Sequence, residues 1–153
     1  MITRARKQAG ALADLLRKRG AVVSQVPTIE IRAPRSYRRL DAALADITRF
    51  DWLILTSVNG VDALFARLQR HKVPPETLRK LKVAAIGPAT REALRAHGVP
   101  TDVMPQDYVA EAVVRELRYK VKGKRVLLVR ARVARDVIPR ELRRAGAKVT
   151  VVE

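Results

Sequence analysis

The sequence contains no cysteine, only two histidines and few aromatic residues, and each shortage excludes a class of function. Without cysteine there is no disulfide and no thiolate-bound metal, which leaves His71 and His97 as the imidazole ligands. We therefore predict no metal site, and His97, directly before Gly98, fits a helix C-terminus better than a ligand sphere. Aromatic residues make up 4% of the chain, which leaves little surface on which nucleic-acid bases could stack.

Long apolar runs are also missing from the sequence. No stretch approaches the roughly 20 apolar residues that a membrane-spanning helix needs. The amino terminus lacks the basic-then-apolar layout of a secretory signal. The pattern predicts a soluble, cytoplasmic protein that does not enter membranes. Its 153 residues, of which 48% are hydrophobic, suit one domain of ordinary size or slightly more.

Acidic residues are scarce relative to basic ones. Only 15 Asp and Glu stand against 32 Lys and Arg, which gives a formal net charge of +17. Such an excess raises the local concentration of anions and favours acidic partners, from nucleic acid to a small polycarboxylate. The basic residues are scattered over nearly every predicted helix, so a solvated arginine-rich surface is the alternative explanation. Charge alone does not choose among these readings.

The stretch 51–60, DWLILTSVNG, organises the predicted fold. The apolar run 52–55 does not alternate, which is typical of a parallel strand covered on both faces. Helical spacing of apolar residues begins at Val61. In an open parallel sheet, the turn between them lies at the carboxyl edge, where hydroxyls and unpaired helix amides can bind an anion. The candidate residues in this first turn are Thr56, Ser57, Asn59 and Gly60.

The same arrangement recurs downstream. A short strand at 82–86 leads into a second turn and a helix that Gly98 closes. The candidate residues in this second turn are Gly87, Pro88, Ala89 and Thr90. We expect both turns to face one crevice. For each single hydroxyl in the two turns, simple helix capping is the alternative to ligand binding.

The whole pattern predicts an α/β protein with a doubly wound parallel sheet. Strands at 1–4 and 21–27 flank a helix at 8–19 and form an opening βαβ unit. The apolar residues of this helix that we expect to face inward are Ala9, Leu12, Leu15 and Leu16. Further predicted helices lie at 40–50, 107–119 and 137–145, and further strands at 103–105 and 125–130.

An internal repeat links the two ends of the chain. Arg4 and Gly20 match Arg130 and Gly146, with the same separation in each copy. We infer that the two βαβ units are related. The second copy stops at Glu153, the position equivalent to Pro27, so its last strand is expected to be cut short.

Taken together, these pieces resemble the uroporphyrinogen-III synthase family. The matching segments are TR at 3–4, RGA at 19–21, PTIEI at 27–31, LDAAL at 40–44, DWLILTSVNGV at 51–61, AIGPAT at 85–90, YVAE at 108–111, and Arg130 with ARDVIP at 134–139. Each piece is common among α/β proteins. Their order and spacing over the whole length carry the resemblance.

The resemblance implies two α/β domains joined by a two-stranded linker, with the substrate cleft between them. Residues 1–33 would open the first domain, 34–38 would form the linker, and 39–153 would make nearly all of the second domain. In the family the chain returns to the first domain after building the second. No residues of this sequence match that returning segment, so we expect a truncated first domain. The complete family enzyme is expected to be a monomer. An exposed sheet edge makes self-association an expectation for this chain, which could be an inactive fragment.

The resemblance also implies a reaction, in which the linear tetrapyrrole hydroxymethylbilane closes to uroporphyrinogen III with inversion of ring D and loss of water. This lyase chemistry, part of tetrapyrrole biosynthesis, needs no metal or organic cofactor. The two turns would bind the substrate's carboxylates. Arg130 would add an ion pair, Arg4 would face the cleft from the first repeat, and Tyr108 would cover the site. We assign no catalytic residue.

Two alternatives to an enzyme stay open at this point. Doubly wound domains bind many anions without chemistry, so the chain could be a non-catalytic anion-binding module. The net charge also suits a nucleic-acid-binding protein, in which the helix after Gly87 would enter a groove. A strand precedes Gly87, however, and that order is wrong for a helix-turn-helix motif, so we expect no specific nucleic-acid partner.

Overall fold

The computed structural model of the chain describes residues 1–3, 5–28 and 30–153. These residues form two compact units, Met1–Arg35 and Ser36–Glu153. Arg4, a candidate site residue, lies outside the described residues, and its role stays a prediction. Within the described ranges, no helix is long and apolar enough to cross a membrane.

The smaller unit contains one helix, α1 (Arg6–Lys18), and a parallel bridge between Ile2 and Gln25. In residues 1–3 and 5–28, the two predicted strands appear as this one bridged pair with the backbone hydrogen bonds around it. Four residues of this helix were predicted to face inward, and the prediction is wrong for three of them, because of the four only Ala9 is buried. The leucines expected to face inward are all at least a third exposed: Leu12, Leu15 and Leu16. Among the described residues, Ala9 and Ala13 of the helix pack with Ile2 and Val23.

The larger unit is built on a parallel sheet with the order β2-β1-β3-β4. Its strands are β1 (Trp52–Leu55), β2 (Lys82–Ala85), β3 (Arg125–Val129) and β4 (Lys148–Val152). All four residues of β1 are buried, and β1 pairs with β2 on one side and β3 on the other. The prediction of a central, doubly covered strand is confirmed. The predicted strand at 103–105 is only a bridge from Val103 to Ala84.

The helices of the larger unit follow the predicted order but are mostly shorter. They are α2 (Arg38–Ala45), α3 (Val58–Arg70), α4 (Pro88–Ala96), α5 (Ala110–Leu117) and α6 (Val137–Arg144). The single helix expected at 40–50 ends at Ala45, and a 3-10 turn at Ile47–Arg49 follows it. Ile47 and Phe50 are nevertheless buried, so the predicted apolar face is kept. A second 3-10 segment, Pro75–Lys80, precedes β2.

The core of the larger unit consists of two layers, one on each face of the sheet. Leu53 and Leu55 of β1 pack with the layer that contains α2, α3 and α4. Trp52 and Ile54, the alternate residues of the same strand, pack with the layer that contains α5 and α6. Successive strand residues point to opposite faces, so this division confirms the doubly wound sheet.

The internal repeat is visible in the backbone pairing of each unit. Ile2 pairs with Gln25 in the smaller unit, and Leu128 pairs with Val151 in the larger one. In both pairs the partners are 23 residues apart in the chain (25 − 2 and 151 − 128). Both pairs are also parallel, so the two βαβ units have the same register.

The strand order creates a topological switch point between β1 and β3. After β1 the chain enters α3, which packs on one face of the sheet, whereas after β3 it enters α6 on the opposite face. Because β1 and β3 are neighbours, the two connections leave their shared carboxyl edge in opposite directions. Ligands of open α/β sheets bind in the crevice that such a divergence leaves.

Candidate functional site

The turn after β1 is shorter than its sequence suggested. Ser57 has extended backbone and caps α3, with its Oγ accepting a hydrogen bond from the amide of Gly60 at 3.2 Å. The helix begins at Val58. Asn59 and Gly60 therefore lie in the first turn of the helix, not in the connection before it. The capping alternative for Ser57 is correct, although its hydroxyl proton remains available for donation.

Gly60 is not needed to turn the chain, because its φ is not positive. A Cβ built on Gly60 would lie 3.6 Å from side-chain atoms of both Leu55 and Val129, which is ordinary van der Waals contact. The start of α3 thus packs closely on the ends of β1 and β3. Gly60 therefore does not redirect the chain from strand to helix, since the extended Ser57 performs that change of direction.

The turn after β2 does depend on glycine. Gly87 is the N-cap residue of α4 and has φ +82°, a conformation that residues with a side chain rarely adopt. It provides no side-chain cap, so the first amides of α4 have no side-chain oxygen bound to them. A Cβ at Gly87 would lie 3.7 Å from Cγ of Tyr108, whose ring is therefore next to this turn and 57% exposed.

The other members of the second turn differ in exposure. Pro88 and Ala89 are exposed, whereas Thr90 is only 3% exposed. The solvent-facing part of this turn therefore consists of backbone and apolar atoms around the start of α4. A ligand would meet the backbone N–H of Ala89 before it met the hydroxyl of Thr90, and Pro88 has no backbone N–H to donate.

Arg130 directly follows β3 and makes four hydrogen bonds through its terminal nitrogens. Nη1 donates to the carbonyls of Ala134 and Arg135 at 3.4 and 3.1 Å. Nη2 donates to Asp136 at 2.7 Å and to Glu153 at 2.8 Å. The side chain is only 8% exposed. Burial by itself lowers the pKa of Arg130, but the hydrogen bonds to Glu153 and Asp136 outweigh it, so the pKa is raised.

A cavity of about 120 Å³ lies at the switch point. Thr56 from the end of β1 and Arg130 from the end of β3 both line it, so the structure brings these two predicted residues together. The remaining wall residues come from two loops and two helices: Ile86, Ala110, Ala134, Arg135, Ile138 and Pro139. Gly87 and Tyr108 form a second pair and are not among the wall residues.

The apolar wall of this cavity was not predicted from the sequence. Ile86 ends the second strand segment, and Ile138 and Pro139 open α6, so each read as ordinary core. Strand order is the signal that would have found them, because only the adjacency of β1 and β3 places α6 beside Thr56. Arg135 was also missed as a wall residue, and it forms two hydrogen bonds to Glu111 at 2.8 and 3.1 Å.

The chemical groups gathered at this edge are amides, hydroxyls and a guanidinium. Within the part of the chain that the structure describes, no group of three His, Asp or Glu residues could hold a metal ion. The available groups donate hydrogen bonds, and they hold and orient oxygen-bearing ligands. The arrangement therefore suits binding and positioning better than proton abstraction.

The fold and the site define a doubly wound α/β protein with a binding site at its topological switch point. Comparison with known proteins gives the family. The profile described as uroporphyrinogen-III synthase HemD matches residues 10–153. The chain belongs to the uroporphyrinogen-III synthase family. This result favours the enzyme over the nucleic-acid and simple anion-binding alternatives.

Curated relatives agree with the family. The uroporphyrinogen-III synthase of Synechococcus elongatus is 37% identical over 153 residues, which cover 99% of this chain and 58% of the relative. The uroporphyrinogen-III synthase of Escherichia coli is 30% identical over 155 residues, which cover 100% of this chain and 62% of the relative. The chain thus spans about 60% of the length of these relatives.

Solved structures show the same fold. A crystal structure of uroporphyrinogen III synthase from Thermus thermophilus superposes with a TM-score of 0.66 at 20% identity, covering 99% of this chain and 60% of that one. A mutant form of the same enzyme gives a TM-score of 0.72 at 19% identity. At this identity the likeness concerns the fold, and it agrees with the order of strands and helices described above.

Proposed function

We propose that this chain supplies much of the substrate site of a uroporphyrinogen-III synthase. That enzyme is a lyase that closes the linear tetrapyrrole hydroxymethylbilane to uroporphyrinogen III, with inversion of ring D and loss of water. The observation that carries the proposal is the family match over residues 10–153. The proposal includes a cytoplasmic location and a reaction that needs no cofactor.

The charge and the site geometry support a polycarboxylate substrate. Hydroxymethylbilane carries eight acetate and propionate carboxylates, and a net charge of +17 attracts such a ligand over long range. At close range, the start of α4 offers amides that no side chain caps. Helix N-termini carry partial positive charge and bind carboxylates through these amides. The first turn adds the hydroxyls of Thr56 and Ser57 at the neighbouring strand end.

The reaction calls mainly for positioning. Loss of the terminal hydroxyl creates an electrophilic carbon on the last ring, and the direction of closure then depends on which pyrrole carbon meets it. A site that fixes several carboxylates of one flexible chain restricts these geometries, and such restriction alone accelerates reactions by large factors. Tyr108, exposed beside Gly87, is placed to cover the bound chain from one side.

The experiment that tests this proposal measures the ratio of uroporphyrinogen III to isomer I, the product of spontaneous closure. The chain is assayed alone and then joined to the remaining segment of the Synechococcus elongatus enzyme, with that segment alone as a control. We expect isomer III from the joined protein and mostly isomer I from the chain alone, because the relatives are longer than this chain. Isomer I from a folded joined protein would refute the proposal, and full activity of the chain alone would refute the expected need for the longer protein.

A further inference from the structure

The donors of Arg130 are already used within the chain. Its side chain is only 8% exposed, and its two terminal nitrogens donate to two carbonyls and two carboxylates. The remaining nitrogen, Nε, is buried away from solvent. A guanidinium has five N–H groups, and in the described structure none of those on Arg130 is open to an incoming carboxylate. A cation of this wall that binds a ligand is therefore a different residue.

Arg135 is the second cation of the cavity wall. It lines the cavity together with Thr56 and Arg130, and its side chain is 67% exposed. A wall residue that is mostly exposed lies where the cavity opens to solvent, so Arg135 is accessible to an entering ligand. Nη1 of Arg130 donates to the backbone carbonyl of Arg135 at 3.1 Å. The buried arginine thus holds the backbone from which the exposed one projects.

The guanidinium of Arg135 is occupied by a carboxylate of the chain itself. Its Nη1 and Nη2 donate to Oε1 and Oε2 of Glu111 at 2.8 and 3.1 Å, the two-pronged geometry that arginine forms with carboxylates. Arg135 holds the pKa of Glu111 below its ordinary value, so this carboxylate is ionised near neutral pH. The side chain of glutamate ends in a propionate group, and hydroxymethylbilane carries the same group. Glu111 therefore presents to Arg135 what a substrate carboxylate would present.

The ion pair between Arg135 and Glu111 is suited to exchange. The two side chains are 67% and 51% exposed, and ion pairs at such exposure contribute little to stability. Both groups meet water when the pair opens. Opening the pairs of Arg130 with Asp136 and Glu153 would instead leave a buried guanidinium without its partners. One cation of the wall is thus fixed, and the other is exchangeable.

We propose that a carboxylate of the linear tetrapyrrole displaces Glu111 and binds Arg135 in its place, an assignment that rests on the proposed function. Glu111 turns to solvent, and the charge next to the guanidinium is unchanged because one carboxylate replaces another. The pyrrole ring that carries this carboxylate then meets the apolar wall residues, of which the largest are Ile86, Ile138 and Pro139. A neutral ligand cannot make this exchange, so the ion pair selects for carboxylates.

Substitutions on the two sides of the ion pair test this assignment, because they should change the affinity in opposite directions. The probe is uroporphyrinogen III, which has the eight carboxylates of the substrate, titrated anaerobically into the ¹⁵N-labelled chain. Arg135→Gln removes the cation and should weaken binding about tenfold, the effect of a charge-assisted hydrogen bond. Glu111→Gln removes the competitor and should strengthen binding by about two- to fivefold, the effect of an exposed ion pair.

Glu116→Gln is the matched control, because Glu116 is exposed on the same helix as Glu111. It removes the same charge and should change the affinity by less than about 1.5-fold, since salt screens charges that make no contact with the ligand. The double variant of Arg135→Gln and Glu111→Gln should bind no more tightly than Arg135→Gln alone, because the competitor matters only while the cation is present. Urea unfolding of each variant checks that it is folded.

An ion pair that only joins the loop to α5 predicts a different result. Either substitution breaks such a pair, so weaker binding by both variants would overturn the assignment. Unchanged binding by both, equal gains in the Glu111 and Glu116 variants, or no saturable binding to the chain would overturn it as well. If the joined enzyme makes isomer III while the Arg135 and Glu111 variants bind alike, only this assignment fails. If their affinities move in opposite directions and no isomer III forms, only the proposed function fails.

Discussion

Hydrogen bonding differs between the amino edge and the carboxyl edge of the parallel sheet, where the strands begin and end. At the amino edge, Asp51 accepts a hydrogen bond from the amide of Arg125, and Asp102 accepts one from the amide of Val83, both at 2.8 Å. At the carboxyl edge, Gly87 offers no side-chain cap, and Nε of Arg130 has no partner among the described residues. At the amino edge two strand amides are satisfied by carboxylates, although Oγ1 of Thr101 beside Asp102 is buried without a partner among the described residues, whereas at the carboxyl edge the first amides of α4 have no side-chain cap.

The two carboxylates of the amino edge have lowered pKa values. The amide of Arg125 holds the pKa of Asp51 below its usual value, with a further contribution from Lys124. Burial alone would raise the pKa of Asp102, but hydrogen bonds from Lys82 and Val83 outweigh it, and the pKa is lowered. Both carboxylates are therefore held ionised as parts of the structure, and neither is suited to act as a proton donor near neutral pH.

The largest effect is expected from removing the guanidinium of Arg130. Arg130→Ala would leave two carbonyls and the carboxylates of Asp136 and Glu153 without their donor. We expect the free energy of unfolding to fall by about 3 kcal/mol, at the low end for a broken buried ion pair because Asp136 is well exposed. Urea unfolding measures the change.

Arg132→Ala is the matched control, because Arg132 is exposed on the same loop. It should change the free energy of unfolding by less than about 0.5 kcal/mol. Equal effects of the two substitutions would show that Arg130 does not organise the loop that lines the cavity.

Alanine substitution at two glycines of the carboxyl edge should change the free energy of unfolding by smaller amounts and in opposite directions. Gly87→Ala forces a side chain into a backbone conformation with φ +82° and ψ 157°, and should cost about 2 kcal/mol. Gly60→Ala places a methyl group in helix α3 at ordinary contact distance, and should stabilise by about 0.5 kcal/mol. Thermal or urea unfolding of both variants measures these changes. If Gly60→Ala destabilised the protein as much as Gly87→Ala does, the capping of α3 by Ser57 would be contradicted.

The smallest destabilisation is expected at the amino edge, and it depends on pH. The folded pKa of Asp102 lies below its ordinary value of 3.8. Its contribution to stability is therefore complete above about pH 4 and is lost as the pH falls through the folded pKa. Asp102→Ala should cost about 1 kcal/mol at neutral pH, and this difference should shrink below pH 4.

The exposed Asp62 on α3 serves as the comparison for that experiment. Asp62→Ala should change the free energy of unfolding by less than about 0.5 kcal/mol at neutral pH. If Asp102→Ala costs the same at pH 3 as at pH 7, the ionised carboxylate is not what closes the amino edge.

Local pattern predicted the elements of the fold but not their neighbours. The run 52–55 lacks alternation, as is typical of a doubly covered strand, and Gly87 stands where the backbone has a positive φ. Both properties are encoded within a few residues. The pairing of β1 with β3 joins segments that are far apart in the sequence, and no local pattern encodes it. The cavity between Thr56 and Arg130 follows from that pairing.

Two local errors have equally physical causes. Gly60 was read as part of a turn because Asn-Gly commonly marks one, but the Ser57 cap starts the helix two residues earlier. Leu15 was placed inward from its helical spacing, yet it is 61% exposed because the partner surface in that unit is small. Periodicity identifies an apolar face without stating how much surface is available to cover it.

The central claim, that the carboxyl edge binds the ligand and the amino edge is structural, is tested most directly by mapping amide shifts during a titration with uroporphyrinogen III under anaerobic conditions. We predict saturable shifts in the amides of residues 56–60, 87, 89, 90 and 130–136. The amides of Asp51, Asp102 and Lys124 should stay in place. Shifts concentrated at those three amino-edge residues, with the carboxyl-edge amides unmoved, would contradict this account.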